Sequence, residues 1–281
     1  MRTMGNMSHF WDERAHKHGH TGWADPLIYA YDQQARLMAI EEIVRSLNMP
    51  RQTALDFGTG SGEFAALLAK YFQRVLAYDI SDVVLSIAKK RYSHLTPIRF
   101  MGSRGALGLK PESRVDMILS VTVLDCIMDD LEFSATLDTL RDLLEEDGII
   151  VTLEYSPREA RPKSYYQRFM TLDEWRSQFK RRGFVLQNSY GFFHPKEAPC
   201  DSYAVYQSLF SGLKGKILRR LIRIFQFTKF HHRGEFLNTW LRTRARHILE
   251  KTNDFYWEAE KKDSPVNIMI WGSNDGAAKG R

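Results

Sequence analysis

Cysteine is scarce in this chain: two residues in 281, Cys126 and Cys200, far apart and without the spacing of a metal-ligand or redox pair. That excludes a disulfide scaffold and a zinc ribbon, and it suits a reducing compartment. Long apolar runs are missing as well, since none approaches the roughly 20 residues needed to cross a bilayer. The opening segment Met1 to Arg14 has no apolar core of the secretory-leader kind. The expected location is therefore the cytoplasm, with the inner membrane face left open by the basic segments described below. No internal repeat and no low-complexity tract occurs. His16, His18 and His20 alternate by two, but no carboxylate or second histidine group joins them at ligand spacing, so no metal is expected. Acidic excess is absent too: the net charge is +6 and the pI about 9.2, which permits phosphate-bearing partners without identifying one.

Against that plain background one segment stands out. Asp56-Phe-Gly-Thr-Gly-Ser-Gly62 follows the apolar pair Ala54-Leu55 and leads into the helix-like Glu63-Phe-Ala-Ala-Leu-Leu-Ala-Lys-Tyr. Glycines at 58, 60 and 62 remove side chains that would keep a ligand from the backbone, and the start of the following helix favours an anionic group. A dinucleotide fingerprint needs glycine at relative positions one, three and six, and the sixth position counted from Gly58 is Glu63. A carboxylate there repels a pyrophosphate.

The pattern resembles the first motif of the class I S-adenosylmethionine-dependent methyltransferases. The resemblance runs from about Thr53 to Pro157 and includes Asp79-Ile80-Ser-Asp, Val115-Asp-Met-Ile-Leu-Ser-Val-Thr-Val-Leu and Asp147-Gly-Ile-Ile-Val-Thr-Leu-Glu-Tyr in the family's order. It implies a Rossmann-like α/β fold: a seven-stranded sheet with helices on both faces, its last two strands an antiparallel hairpin. It also implies S-adenosylmethionine as cofactor. Asp56, Gly58, Thr59, Gly60 and Gly62 would form the cofactor turn, and Asp79 with Ile80 would meet the ribose. Ser103 would lie near the adenine, where many relatives carry an acid, and Ser120 with Val121 near the methionine part.

The pattern of apolar residues supports this architecture on its own. Strand candidates at Ala54-Leu55, Val75 to Tyr78, Ile98 to Met101, Met117 to Val121 and Ile149 to Leu153 alternate with helical patterns, which predicts a parallel sheet covered by helices. Glu132 to Glu146 reads as a helix stopped by Asp147-Gly148, and Thr171-Leu-Asp-Glu opens another with a capping box that runs to about Arg182. Phe184 to Phe193 and Pro265 to Trp271 read as the last strands. The expected organisation is a lid at 1–50, a cofactor-binding core at 51–194, a basic helical insertion at 195–263 and a final strand with tail at 264–281. In the insertion, Leu213, Ile217, Leu218, Leu221, Ile222, Ile224 and Phe225 gather on one arc opposite Lys216, Arg219, Arg220 and Arg223. Three readings stay open for 213–251: a cap packed on the core, contact with an anionic membrane or lipid-linked substrate, and a groove for nucleic acid.

Candidate residues for the chemistry fall into three groups. Asp125 and Glu154 follow or end strands at the carboxyl edge of the sheet, where open α/β folds bind ligands, and His194 titrates near neutrality, so these three are the candidate bases. The N-terminal stretch resembles the lid of some small-molecule and sugar methyltransferases; Trp11, Arg14 and Trp23 would cover cofactor and acceptor, with Tyr29, Tyr31 and Asp32 extending the wall. Tyr155, Arg158, Tyr165 and Tyr166, with Arg161, Lys163 and Arg168 nearby, would hold the acceptor. The expected reaction is methyl transfer to a small molecule or glycan, with O-methylation of a sugar or of a phosphate-bearing or lipid-linked precursor favoured. An RNA or DNA methyltransferase and a non-catalytic cofactor-binding module are the alternatives.

Overall fold

The computed structural model of the protein describes residues 4–102, 114–192, 201–227, 231–252 and 264–273. Two helices lead, α1 (Met4–His18) and α2 (Pro26–Ser46). Seven strands follow: β1 (Thr53–Phe57), β2 (Arg74–Tyr78), β3 (Ile98–Met101), β4 (Val115–Val121), β5 (Leu144–Tyr155), β6 (Phe184–Gly191) and β7 (Val266–Ser273). Helices α3 (Glu63–Leu68), α4 (Asp82–Tyr92), α5 (Asp130–Leu143) and α6 (Leu172–Lys180) connect them, and α7 (Asp201–Ser208), α8 (Gly212–Phe227) and α9 (His231–Thr252) lie between β6 and β7. The sheet order is β3-β2-β1-β4-β5-β7-β6. The first five strands run parallel, whereas β7 inserts antiparallel between β5 and β6. This is the Rossmann-like α/β methyltransferase sheet expected from the sequence.

Local chemistry explains the elements. Strands β1, β2 and β4 are buried on both faces, so they read as continuous apolar runs rather than alternating ones. Helix α2 starts at Pro26 because the Asp25 carboxylate accepts the Leu27 and Ile28 N–H groups; Ser81 and Asp129 cap α4 and α5 in the same way. The Thr171–Glu174 capping box forms as its sequence predicts. Helix α5 ends at Leu143, three residues short of the expected Glu146, because Leu144 pairs with Val115 and is drawn into the sheet.

Two apolar clusters cover the sheet faces. One joins α2 and α3 to β1, β4 and β7; the other joins α5 and α6 to the opposite face, with Phe179 stacked on Trp271 at 4.2 Å. A third cluster lies apart from the sheet. There Leu27, Tyr31 and Ala35 of α2 meet Tyr206, Ile222, Leu241 and Leu249, so the insertion and the lid share one core.

Candidate active site

A cavity of about 340 Å3 opens at the carboxyl ends of β1, β2, β4 and β5. Its floor is the glycine turn. Gly58 has φ 79°, and a Cβ built on it would lie 2.3 Å from the Val123 side chain; at Gly62, φ 90°, it would meet Ala88 and Tyr92 at about 3 Å. Only glycine fits these two positions. The backbone donors of the turn are largely used inside the protein: Gly58 and Thr59 N–H both donate to the Tyr78 carbonyl, Gly62 N–H to Thr59 O, and Gly60 N–H to Asp79 Oδ2 at 2.9 Å. The glycines therefore work by close approach more than by presenting donors to an anion.

Asp79 stands at the end of β2 and lines the cavity, its other oxygen accepting Ser81 N–H. Burial pushes its carboxyl up to about 6, against the backbone donors of Ser81 and Gly60, with the Asp12 charge adding to the rise. Asp56 lies behind the wall. It accepts Thr59 Oγ1 at 2.6 Å and fixes the turn from below, and burial raises it to about 7. Ile80 and Val121 line the cavity; Ser120 is buried and donates to Glu154 instead. Ser103 and His194 lie outside the described residues.

The lid closes the cavity from above. Ser8 donates to Ile80 O and the Ser81 hydroxyl to Asp12, which ties α1 to the loop after Asp79. The Arg14 guanidinium is held by the Thr21 and Gly22 carbonyls and lines the cavity with Trp11, Trp23 and Tyr29. Thr21 lies over Gly60. Phe10 stacks on Tyr166 at 5.7 Å, so the lid and the loop after β5 meet at the mouth. Tyr155 and Tyr166 line the cavity, whereas Tyr165 packs on Phe10 outside it.

The basic loop after β5 does not face inward. Arg158 and Arg161 are exposed and off the cavity wall, Lys163 pairs with Asp130 at 2.7 Å, and Arg168 is buried over Phe133 with its guanidinium on the Ile127 carbonyl. The support these cations gave to a phosphate-bearing acceptor is therefore not found at the cavity. Tyr31 also turns away, into the shared core of lid and insertion.

Asp125 and Glu154 come together, but beneath the wall and with no exposed surface. Glu154 accepts Ser120 Oγ and the N–H groups of Val123, Leu124 and Asp125; Asp125 accepts Gln167 Nε2 at 2.7 Å. Burial raises both carboxyls, and the Asp125 charge lifts Glu154 further. The geometry of the pair fixes the β4 and β5 ends and aims Gln167, which does line the cavity.

Sequence reasoning put Asp32 on the wall but missed Gln33, Arg36 and Thr122 beside it at the polar end of the cavity. Asp32, Gln33 and Arg36 of α2 line it together with Thr122. Arg36 pairs with Asp32 at 2.8 Å and donates to Thr122 Oγ1 at 3.1 Å; the Trp23 indole donates to Asp32 Oδ2. Asp32 Oδ1 is buried without a hydrogen-bond partner among the described residues. Thr122 has φ 52°, the single non-glycine residue in the left-handed region among those described. An acid and an arginine four apart within the apolar face of α2 were the available signal.

Glu63 has a further role. It is buried, with Arg91 at 3.2 Å and Arg242 of α9 at 3.0 Å. Burial would raise its carboxyl, but the two guanidinium groups overcome that and hold it below the ordinary value. The residue that breaks the dinucleotide fingerprint is the anchor for the insertion.

Known proteins resemble parts of this chain. Residues 54–148 match the family model described as a methyltransferase domain. Methyltransferase cfoB of Aspergillus candidus is 38% identical over 69 residues, 23% of this chain and 22% of that protein. The probable S-adenosylmethionine-dependent methyltransferase CRG1 of Saccharomyces cerevisiae is 33% identical over 89 residues, 30% of each. The match thus spans less than a third of the length of either curated relative. Among solved structures, the [4+2]-cyclase SpnF superposes with a TM-score of 0.59 at 15% identity, over 97% of both chains. DhpI in complex with S-adenosylhomocysteine gives 0.53 at 17%, over 66% of this chain and 89% of that one. At such identities the structures show a shared fold.

Proposed function

Starting from a class I S-adenosylmethionine-dependent methyltransferase core, we propose that this chain transfers a methyl group from S-adenosylmethionine to an uncharged small molecule bearing a hydroxyl or amine. The observation that carries the reading is one cavity with two unlike ends: the glycine turn with Asp79, and the buried Asp32–Arg36 pair with the half-buried Thr122, walled by tryptophan and tyrosine. The residues of the first end suit the cofactor. The bare turn admits a nucleoside, the Asp79 carboxylate would accept the ribose hydroxyls, and Arg14 would meet the amino-acid carboxylate. When bound, the cofactor supplies an electrophilic methyl carbon on a sulfonium.

The second end would hold the acceptor. Trp11, Trp23 and Tyr166 offer apolar faces, and Asp32 Oδ1 requires a donor that the described residues do not provide. Because Arg36 neutralises Asp32, a neutral acceptor fits better than a phosphorylated one. Burial raises the Asp32 carboxyl, opposed by Arg36 and the Trp23 indole, which makes it a better proton acceptor than a free aspartate. Asp32 Oδ1 would take the proton of an acceptor hydroxyl; a neutral amine needs less help. Closure by α1 keeps water out and holds both reactants aligned, an effect worth roughly 7–11 kcal/mol in the best cases.

Calorimetric titration with S-adenosylhomocysteine, followed by transfer of radioactive methyl to fractionated cell extract, tests the reading. Expected are binding and label in the small-molecule fraction, with Asp32→Asn binding normally but transferring at least roughly tenfold more slowly. Failure to bind rejects the reading. Binding without transfer supports a cofactor-binding module, and label in nucleic acid moves the acceptor to that class.

A further inference from the structure

Helix α8 carries five cations, Lys214, Lys216, Arg219, Arg220 and Arg223, and no acid. Its apolar residues form a single arc in sequence, but the protein divides that arc. Ile222 is fully buried and Leu218 packs beside it against the lid core. Leu213, Ile217, Leu221 and Ile224 point the other way and remain 76, 53, 44 and 50% exposed. At 100° per residue these four lie within about 80° of one another, with Lys216 and Arg220 along one border and Lys214 on the other.

We propose that this outward stripe lies on the surface of an anionic lipid bilayer, with the aliphatic side chains in the headgroup boundary and the flanking cations among lipid phosphates. Charge complementarity selects this occupant: a stripe bordered on both sides by cations, on a helix without a carboxylate, matches a negative surface. Spanning is excluded for α8, because 16 residues rise only about 24 Å and no described helix is long and apolar enough to cross a membrane. A nucleic-acid groove would put cations, not four aliphatic side chains, at the centre of the exposed face. The far side of α8 rests on α9 and α1, so the docked face is joined to the lid and, through Arg242 and Glu63, to the cofactor turn.

The test is co-sedimentation of the full chain with vesicles of phosphatidylcholine alone and of phosphatidylcholine with phosphatidylglycerol. Binding is expected only with the anionic lipid. Ile217→Asp with Leu221→Asp should weaken it by tenfold or more, and Lys216→Gln with Arg220→Gln by roughly fivefold per charge. Both pairs are at exposed positions, so unchanged melting and unchanged S-adenosylhomocysteine affinity show that the fold and the cofactor site are intact. Equal sedimentation of all three proteins, or none with anionic vesicles, overturns the proposal. So does a wild-type dimer in sedimentation velocity that the aspartates dissociate. Binding to RNA homopolymer that is lost with the glutamines but kept with the aspartates overturns it equally.

Discussion

Asp79 should make cofactor affinity depend on pH. In the free protein its carboxyl titrates at about 6, because burial penalises the charge more than the Ser81 and Gly60 donors reward it. A pair of ribose hydroxyls is best met by two acceptor oxygens and a charge, which only the ionised form offers, so binding favours the carboxylate. With a free-protein value of about 6, the ionised fraction is about one tenth at pH 5 and nearly complete at pH 7.5. S-adenosylhomocysteine should therefore bind about tenfold more tightly at the higher pH, close to 1.4 kcal/mol. The same shift acts on folding with the opposite sense. A carboxyl raised in the folded state contributes stability that is complete below its unfolded value of 3.8 and is lost as pH rises through about 6. That loss is on the order of 3 kcal/mol in the ligand-free protein. Titration calorimetry across this range, beside Asp79→Asn, is the assay. The neighbours that also titrate or carry charge are Asp12 on α1, Asp56 on β1 and Tyr78, and the asparagine variant separates them. A wild-type affinity that is flat with pH, or a pH slope that survives in Asp79→Asn, refutes the assignment.

Gly58→Ala should abolish measurable cofactor binding, since left-handed backbone costs roughly 1–2 kcal/mol and the new Cβ strikes Val123; adding Val123→Ala should restore part of it, as read by calorimetry. Glu63→Gln leaves two guanidinium groups facing each other and should lower stability by about 2–4 kcal/mol in urea melts at neutral pH. The depressed Glu63 value means that its contribution is present above the unfolded value of 4.5 and lost as pH falls through the folded one, so the gap between variant and wild type should close in acid. Thr122→Asn, at a position with φ 52°, should keep or raise the melting temperature while transfer slows, because the Thr122 hydroxyl that accepts from the Arg36 guanidinium is gone. Asp125→Asn should leave cofactor affinity intact and raise KM for the acceptor through Gln167, rather than remove a base.

The glycine-turn end of the cavity, proposed for the cofactor, was legible because backbone and sequence agree there. Glycines at 58 and 62 are demanded by contacts with Val123 and Tyr92, and an acid at 79 follows a strand whose apolar run is its own signal. The acceptor half was not, for three physical reasons. Asp125 and Glu154 occupy the right strand ends, but one-dimensional position does not say which side of a wall a side chain faces. Arg158 and Arg161 lie exposed and off the cavity wall, and Lys163 and Arg168 are engaged by Asp130 and a carbonyl. Asp32 was placed on the lid wall, but its pairing with Arg36 was not, and the contact of Arg36 with Thr122, 86 residues on, is disclosed by no local pattern. The α8 arc shows the same limit, since periodicity finds an apolar face but not how a neighbour will divide it.

Strand β7 enters the sheet against the grain, so the chain leaves at Gly191 and returns at Val266 along one edge. Added length there opens no gap in the ladder and costs little closure entropy. The three helices can be regarded as an exchangeable module: a different cap could be grafted between those two points while the nucleoside pocket stays as it is. Two conditions travel with the graft. The newcomer must cover Leu27, Tyr31 and Ala35 of α2, and it must bring a guanidinium to Glu63, or the transplant leaves Arg91 to satisfy that carboxylate alone.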